Sequence, residues 1–405
     1  MSGVHSGQGT LIINARIVTE NGTIRGWILL REGKIFALGE TDQPPPPESA
    51  AAQRIDGEGG WVLPGFIDLH VHGGAGCDFM DANEASFREI TRFHAQHGTT
   101  GMLATSLTAS KEQLDAMLAA AKRFMAAPMP YAQVLGVHME GPFVNPEWKG
   151  AQNPDYIVPP RPEWLDDWAD RFPGVIKILT LAPETEGALE FIERLNQWGI
   201  VPSCGHTDAT YAQLRAAADR GLRHAVHTFN AMRPYHHREP GTVGAVLTDE
   251  RIMAEIVADG HHVHPAGIEL LVRTKGVSRV MLITDAMSAA GMPDGEYDLG
   301  GLRVRMQDGV ARLHPSGNLA GSTLTMIEAF RFVVRHVGVS IPDASRMASA
   351  NPARQLGMDH IVGSLEPGKR ADVLLLDESL ELRRVWIGGV ETARGEFPCS
   401  GRHAR

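Results

Sequence analysis

The sequence predicts an α/β fold: a TIM-like (β/α)8 barrel joined to a small β-sandwich domain that both ends of the chain build together. Between about residues 62 and 360, eight apolar, strand-like runs alternate with segments of helical periodicity. Shorter strand-like runs with hairpin turns occupy the two ends of the chain. A length of 405 residues exceeds that of one compact domain, which agrees with two domains.

The small domain is predicted from five strand-like runs, three near the start of the chain and two near its end. They cover residues 11–18, 26–31, 34–39, 371–377 and 384–390. The dipeptides Asn21-Gly22 and Glu32-Gly33 are typical of hairpin turns. We therefore predict that residues 1–61 and 361–405 form the β-sandwich domain and that residues 62–360 form the barrel.

The barrel is predicted from eight runs whose spacing leaves room for a helix after each strand. We place the strands at residues 66–72, 100–105, 134–140, 175–181, 201–206, 224–229, 254–258 and 280–285. Residues 84–97, between the first two strands, have apolar positions at helical spacing. In such barrels the catalytic groups lie where strands end and βα loops begin, so we search the strand ends for a site.

Six residues that can bind a metal stand at the ends of five predicted strands. His70 and His72 alternate along one strand, so their imidazoles share a face. Glu140 is followed directly by Gly-Pro, which forces a sharp turn. The complete set is His70, His72, Glu140, His206, His227 and Asp285. Each of them alone is as readily structural as functional, but six on one rim of one barrel predict a metal centre.

The residue types in this set suit metal-assisted hydrolysis. Neutral imidazoles and carboxylates are ligands for zinc or a similar divalent ion, which lowers the pKa of a bound water and polarises a carbonyl group. Another group must take the proton of that water and return it to the leaving nitrogen. Asp285, a carboxylate after an apolar run, is the candidate for this acid–base role. His224, at the start of its strand, and Cys204 are predicted to be structural.

Composition excludes several classes of protein. The net charge of −10 argues against general binding to nucleic acids or anionic membranes. No run approaches the roughly 20 apolar residues that cross a bilayer, and the N-terminus lacks the regions of a signal peptide. Cys77, Cys204 and Cys399 are scattered and odd in number, so no disulfide framework is expected. We therefore expect a cytoplasmic protein with no nucleic-acid or membrane partner.

Several motifs, in their order along the chain, resemble those of the amidohydrolase superfamily. They are His70-Val-His72, Glu140-Gly-Pro, Gly205-His-Thr, His227-Thr-Phe-Asn-Ala-Met, Arg238-Glu-Pro-Gly, Ala258-Asp-Gly-His-His and Thr284-Asp-Ala. Within the superfamily, the chain is similar to the family of N-acetylglucosamine-6-phosphate deacetylases. This resemblance implies a barrel with an appended β-sandwich. It also implies hydrolysis of an acetamide to glucosamine 6-phosphate and acetate, in amino-sugar catabolism or cell-wall recycling.

The resemblance also implies roles for the metal-binding residues. Glu140, His206 and His227 match the positions that bind the principal ion, and Asp285 matches the residue that activates water and protonates the amine. Some family members replace the first histidine pair and hold a single ion. Because His70 and His72 are present here, one or two divalent ions are expected, the second bridged by Glu140. Zinc is the expected metal, with iron, manganese and cobalt as alternatives.

A set of substrate-binding residues follows from the same resemblance. Arg238 and His262 match the phosphate-binding positions, and the planar guanidinium of arginine suits paired phosphate oxygens. The implied set is Ala151, Gln152, Asn230, Ala231, Arg238, His262, Leu319, Ala320 and Gly321. In relatives the phosphate pocket takes a residue from the neighbouring subunit, so we expect a homodimer that binds a phosphorylated amino sugar.

The chain departs from the family pattern at Gln152, where a histidine that contacts the substrate is common. Glutamine can donate a hydrogen bond but cannot carry a proton charge, so a related substrate such as N-acetylgalactosamine 6-phosphate is an alternative. A third hypothesis is an amidohydrolase of another amide, many of which use a carboxylated lysine in the fourth strand. Glu140 already supplies a bridging carboxylate, so Lys177 is predicted to be structural. A non-enzymatic scaffold would have lost ligands, and none is lost.

Overall fold

The computed structural model describes residues 9–392 and contains the predicted barrel. Its eight parallel strands, numbered 1 to 8 in chain order, are Phe66–Val71, Thr99–Thr105, Gln133–Glu140, Ile176–Leu181, Val201–Cys204, His224–Ala225, Met253–Val257 and Val280–Ile283. Each strand pairs with the next one along the chain, so all eight predicted strands are confirmed. Strands 5, 6 and 8 end earlier than predicted, because the backbone leaves the sheet before the residues proposed as ligands.

Strands 8 and 1 close the barrel through the segments that follow them. The Asp285 N–H donates to the His70 carbonyl oxygen over 2.8 Å. Two residues before His70, the fully buried Asp68 carboxylate accepts hydrogen bonds from the N–H and the hydroxyl of Thr284. Burial raises the pKa of Asp68 to about 7. The closure therefore holds two predicted site residues, His70 and Asp285, beside each other.

Helices alternate with the strands as predicted. Those between strands are Glu84–Gln96, Lys111–Met125, Pro162–Arg171, Ala188–Gln197, Tyr211–Asp219, Gly241–Thr248 and Pro265–Lys275, and Met326–Phe332, Ile341–Ser345 and Asn351–Gln355 follow strand 8. The predicted helix at residues 84–97 is confirmed. It begins where the Asn83 side chain accepts from the Ser86 N–H, and its buried face carries Phe87 and Ile90. Among residues 9–392, no helix combines the length and the apolar character that crossing a membrane requires.

Strands from both ends of the chain form a second sheet. They are Thr10–Thr19, Gly22–Arg31, Lys34–Glu40, Gln53–Asp56, Trp61–Pro64, Val373–Leu376, Leu382–Ile387 and Val390–Glu391. The two ends meet where Trp61–Pro64 pairs antiparallel with Val373–Leu376. The five predicted runs and both hairpins are therefore confirmed. Residues 1–8 and 393–405, with Cys399, lie outside the described residues, and the division of the chain at residues 61 and 361 stays a prediction.

A small antiparallel sheet is inserted between strand 8 and its helix. Its strands are Gly295–Leu299, Leu302–Gln307 and Val310–Leu313. Arg312 pairs with Leu319 in an isolated bridge, and Leu319 lines the cavity described below. This sheet was not predicted from the sequence. It supplies part of the wall of that cavity.

Candidate metal centre and active site

The six predicted metal ligands converge at the carboxyl ends of the barrel strands. Glu140 Oε1 lies 3.1 Å from His206 Nε2 and 3.0 Å from His227 Nε2. The two imidazole nitrogens are 3.2 Å apart, and all three side chains are buried. We call Glu140, His206 and His227 the first ligand group.

The remaining predicted ligands lie against the same glutamate. Asp285 Oδ1 is 3.1 Å from His72 Nε2 and 3.6 Å from His70 Nε2. Glu140 Oε1 is 3.3 Å from His70 Nε2, and its Oε2 is 3.4 Å from His72 Nε2. We call His70, His72 and Asp285, together with Glu140, the second ligand group. Glu140 therefore stands between the two groups and contacts both.

The spacing of these atoms fits metal ions. Tetrahedral ligands with bonds of about 2.0–2.1 Å to zinc lie roughly 3.3 Å from one another, and the contacts within the two groups are 3.0 to 3.6 Å long. His70 Nε2 is buried and has no hydrogen-bond partner among residues 9–392. This is expected of a nitrogen whose lone pair is directed at a metal ion. Imidazole and carboxylate donors also suit iron, manganese or cobalt. The residues therefore fit one or two divalent ions.

Three of the ligands have a left-handed backbone. The angle φ is +47° at His206, +26° at His227 and +52° at Asp285. Residues other than glycine seldom adopt this conformation, and those that do concentrate at functional sites. Each of the three comes two residues after the end of its strand. The turn takes the chain out of the sheet and brings the side chain to Glu140.

The charges of the cluster keep its acids ionised. Burial by itself raises the pKa of Glu140, but the nearby side chains of His70 and His206 outweigh burial and hold that pKa well below its usual value. Burial also raises the pKa of Asp285, and His70 and His72 together lower it below its usual value. Both carboxyl groups are therefore anionic at neutral pH, as a metal ligand or a general base must be.

Hydrogen bonds at the second ring nitrogen orient the histidines of the first ligand group. His206 Nδ1 donates to the carbonyl oxygen of Trp148 over 3.1 Å. His227 Nδ1 donates to the carbonyl oxygen of Asn230 over 3.2 Å. With its proton on Nδ1, each imidazole presents the Nε2 lone pair to the cluster.

One residue beside the predicted ligands was not predicted from the sequence. Glu255 in strand 7 is fully buried, and its Oε2 lies 3.0 Å from His70 Nδ1. Its other oxygen, Oε1, lies 2.7 Å from His224 Nε2. The signal in the sequence was a charged residue inside the apolar run 254–258, since a buried charge needs a partner.

A cavity of about 370 Å³ adjoins the predicted metal ligands, and its walls contain most of the predicted substrate-binding residues. These are Ala151, Gln152, Asn230, Ala231, His262, Leu319 and Gly321. Ala320 is fully buried next to them. The wall also includes residues that were not predicted, because loops and the inserted sheet place them there without a recognisable motif: Leu107, Glu147, Trp148, Leu299 and Asn318.

Arg238 lies outside this cavity. It is on an exposed segment, where its Nη1 donates to His237 Nε2 over 2.8 Å. Tyr235, on the same segment, is 59% exposed. The structure therefore separates the two predicted phosphate-binding residues, since His262 lines the cavity and Arg238 does not.

Gln152, the departure from the family pattern, contacts one of the predicted metal ligands, Glu140. Its Nε2 donates to Glu140 Oε2 over 2.6 Å, and its Oε1 accepts from the Thr108 N–H over 2.7 Å. The side chain is buried in the cavity wall. Gln152 therefore holds the carboxylate that the two ligand groups share.

His262 is a candidate anion-binding group in the cavity wall. Its Nδ1 donates to Asp259 Oδ2 over 2.6 Å, and Asp259 also accepts from the backbone N–H groups of His261 and His262. Burial lowers the pKa of His262, but the hydrogen bond and charge of Asp259 outweigh burial and raise it. An imidazole whose protonated form Asp259 favours, beside the cavity, suits an anionic part of a substrate.

Comparison with known proteins assigns the family. The amidohydrolase family model matches residues 61–392, which is most of the chain. The chain belongs to the amidohydrolase family. This amidohydrolase is therefore a hydrolase, as the motifs at its strand ends predicted.

Two groups of relatives are similar to this amidohydrolase over most of its length. It is 42% identical over 375 residues to N-acetylgalactosamine-6-phosphate deacetylase of Escherichia coli O157:H7, covering 92% of this chain and 97% of that protein. It is 42% identical over 328 residues to N-acetylglucosamine-6-phosphate deacetylase of Vibrio furnissii, covering 81% and 82%. The crystal structure of N-acetyl-D-glucosamine-6-phosphate deacetylase from Mycobacterium smegmatis matches with a TM-score of 0.88 at 36% identity, covering 95% and 100%. The predicted resemblance and the predicted fold are confirmed.

Proposed function

We propose that this amidohydrolase hydrolyses the acetamide of N-acetyl-D-glucosamine 6-phosphate to D-glucosamine 6-phosphate and acetate, in amino-sugar catabolism. The observation that carries the proposal is a single cavity whose wall contains ligands of both groups together with His262. A substrate with a scissile amide and a phosphate needs both kinds of group in one cavity. The relatives at 42% identity, each a deacetylase of a hexosamine 6-phosphate, support the same reaction.

The metal is proposed to be zinc, with one or two ions per subunit. Glu140, His206 and His227 would hold the principal ion, and His70 and His72 would hold a second against Glu140. When bound, the metal polarises the acetamide carbonyl and makes the attacking water more acidic. Iron, manganese and cobalt remain chemically suitable for the same nitrogen and oxygen donors.

Asp285 is proposed as the general base and then the general acid. It is anionic at neutral pH because His70 and His72 hold its pKa low. It takes a proton from the attacking water as the new C–O bond forms. It then gives that proton to the amine nitrogen as the C–N bond breaks, which releases the amino sugar and acetate.

The cavity wall is proposed to bind the sugar and its phosphate. His262, held by Asp259, would donate to the phosphate, and Asn230 with the backbone of Ala231 would contact the substrate. The remaining proposed contacts come from residues that line or support the cavity: Ala151, Gln152, Leu319, Ala320 and Gly321. These contacts position the acetamide against the first ligand group.

Arg238 is proposed to bind the phosphate in the cavity of a neighbouring subunit. It does not line its own cavity, and it lies on an exposed segment with Tyr235. Aromatic and arginine side chains are the types enriched at protein interfaces. A homodimer in which this segment reaches the partner would bring both phosphate-binding residues to one substrate.

A cytoplasmic location is also proposed. Cys77 and Cys204 are free thiols in the structure, and burial raises the pKa of the Cys204 thiol. Free thiols that form no disulfide fit a reducing compartment. The phosphorylated amino sugar that we propose as substrate would be present in the same compartment.

Deacetylation of N-acetyl-D-galactosamine 6-phosphate is the second candidate function. It is favoured by the 42% identity to the deacetylase of that sugar and by Gln152, which lies in the cavity wall. The test is acetate and amine release by purified protein with zinc, measured as kcat/KM for both epimers in parallel. We expect the glucose epimer to be preferred. A higher kcat/KM for the galactose epimer would favour the second candidate, and no acetate from either would contradict both.

A further inference from the structure

Glu255 is a buried carboxylate that the proposed mechanism does not use. It lies in strand 7 and has no exposed surface. Its Oε2 is 3.0 Å from His70 Nδ1, and its Oε1 is 2.7 Å from His224 Nε2. Burial of a charge is costly unless each oxygen has a partner, so the two histidines stabilise it as an anion.

The donors along these contacts define where the protons are. Gln355 Nε2 can only donate, so His224 Nδ1, which is 3.0 Å away, accepts and carries no proton. The proton of His224 is therefore on Nε2 and is donated to Glu255 Oε1. Glu255 Oε2 then accepts the Nδ1–H of His70. When His70 is neutral, as a metal ligand must be, its Nε2 therefore carries the lone pair. That nitrogen is one of the buried side-chain atoms that lack a hydrogen-bond partner within the described part of the chain.

His70 differs from the other histidines of the cluster in what holds its ring. Nδ1 of His206 and of His227 donates to a backbone carbonyl oxygen. Nδ1 of His72 has no hydrogen-bond partner in residues 9–392. A carboxylate at this position fixes the tautomer and makes the imidazole a stronger ligand. Glu255 therefore acts on one member of the second ligand group.

We propose that Glu255 is a positioning residue for the second metal ion. Backed by His224 and Gln355, it fixes His70 as a ligand, and tight binding of the second ion depends on it. This proposal rests on the metal centre of the proposed function and adds which residues decide between one and two ions. The histidines of the first ligand group take their orientation from the backbone, so the principal ion is independent of Glu255.

The test counts the metal ions in the purified full-length chain. Wild type and Glu255→Gln are stripped of metal, reloaded with zinc and analysed by plasma mass spectrometry and by competition with a chromogenic chelator. We expect two ions per chain in the wild type and one in Glu255→Gln at the same free zinc. The affinity of the weaker site should fall by about 10- to 100-fold, the usual effect of losing such an outer partner. Circular dichroism verifies that the variant is folded.

Two further variants serve as controls. Asp249 is a buried carboxylate that precedes the same strand and pairs with Arg251, so Asp249→Asn makes the same change of charge away from the cluster. We expect it to bind two ions. Gln355→Ala removes the hydrogen-bond donor to His224 Nδ1 and should lower the affinity for the second ion less than Glu255→Gln does. It also keeps the proposal testable if Glu255→Gln does not fold.

The possible outcomes separate this proposal from the proposed function. Two ions with wild-type affinity in Glu255→Gln, or in Gln355→Ala where the first variant fails to fold, would overturn the proposal and leave the proposed deacetylation intact. A wild type that takes up one ion at saturating zinc, or the loss of an ion in Asp249→Asn as well, would also overturn it. A wild type that binds no zinc or other divalent ion would remove the metal centre, and the proposed function with it.

Discussion

The two histidine pairs around Glu140 are held in different ways. His206 and His227 follow strands 5 and 6 through left-handed backbone, and their Nδ1 atoms donate to backbone carbonyl oxygens. His70 and His72 stand at the end of strand 1, where the buried side chain of Glu255 orients His70. The turns of the loops therefore orient the first pair, whereas a buried side-chain contact orients one member of the second.

Because of this difference, we expect the orientation of the two histidine pairs to respond differently when neighbouring side chains are substituted. A turn made by the main chain survives most side-chain substitutions, because the carbonyl oxygens that orient the imidazoles remain. A histidine oriented by one carboxylate loses its tautomer and basicity when that carboxylate is replaced. The orientation of His206 and His227 therefore depends on the backbone, whereas that of His70 depends on a side chain that a single substitution outside the ligand set can remove.

The largest expected effect is that of Asp285→Asn, which keeps the shape of the second ligand group but removes its base. We expect kcat to fall by about 10²- to 10⁴-fold, which is the usual contribution of acid–base catalysis. Zinc content measured on the same sample should stay unchanged. Full activity would remove the acid–base assignment. Loss of an ion together with activity would make Asp285 primarily a ligand, like His72 beside it.

Replacing one histidine of each pair tests whether the two pairs have separate roles, and it should have the next largest effect on kcat/KM. His206→Asn should lose the principal ion and several kcal/mol of transition-state stabilisation, so kcat/KM falls by on the order of 10²- to 10³-fold. His72→Asn should leave that ion bound and lower kcat/KM much less. The measurements are kcat/KM and zinc per chain. Equal losses in the two variants would show that the pairs do not have separate roles.

Gln152→Ala should have a smaller effect, since it removes a hydrogen bond to Glu140 and no ligand. A hydrogen bond to a charged group contributes about 1.5–3 kcal/mol, so kcat/KM should fall by about 10- to 100-fold. Gln152→His, which retains a hydrogen-bond donor, is the matched variant, and its kcat/KM should fall less. Both are assayed with the two epimeric sugar phosphates. Wild-type kcat/KM in Gln152→Ala would mean that Glu140 does not need this contact.

The smallest expected effect is that of Arg238→Ala, because this residue touches neither histidine pair. Loss of one charge-assisted hydrogen bond of about 1.5 kcal/mol should raise KM for the phosphorylated sugar by about tenfold. KM for the unphosphorylated sugar and the zinc content should not change, and His237→Ala is the neighbouring control. If KM for both sugars rose equally, Arg238 would not recognise phosphate.

The candidate metal ligands could be predicted because each stands at or just after the end of an apolar run, with His70 and His72 sharing one run. Parallel strands in a barrel bring all their carboxyl ends to one rim, so a local pattern, repeated eight times, predicts a shared site. The left-handed turns at His206, His227 and Asp285 could not be predicted. Aspartate and histidine are enriched among the non-glycine residues with positive φ, but only a few per cent of non-glycine residues adopt it, so residue type alone does not mark the turn. The place of the ligands was therefore predictable, and the backbone that aims them was not.

The contacts of Glu255 and Gln152 were not predictable, for a different reason. Glu255 meets His70 across 185 positions of sequence, and the two lie in strands 7 and 1. Hydrophobic periodicity reports which face of a strand is buried, but not which side chain it meets across the barrel. For Gln152, the family resemblance predicted a contact with substrate, and the structure adds the hydrogen bond to Glu140.

By itself, the sequence determined the alternation of strands and helices, the six candidate ligand positions and the family, because these depend on residue type and on spacing along the chain. Only the tertiary structure decided that Glu140 would contact both ligand groups, that Glu255 would meet His70 and that Arg238 would lie outside the cavity. Those outcomes depend on how distant strands approach one another when the barrel closes, and no local pattern encodes that approach.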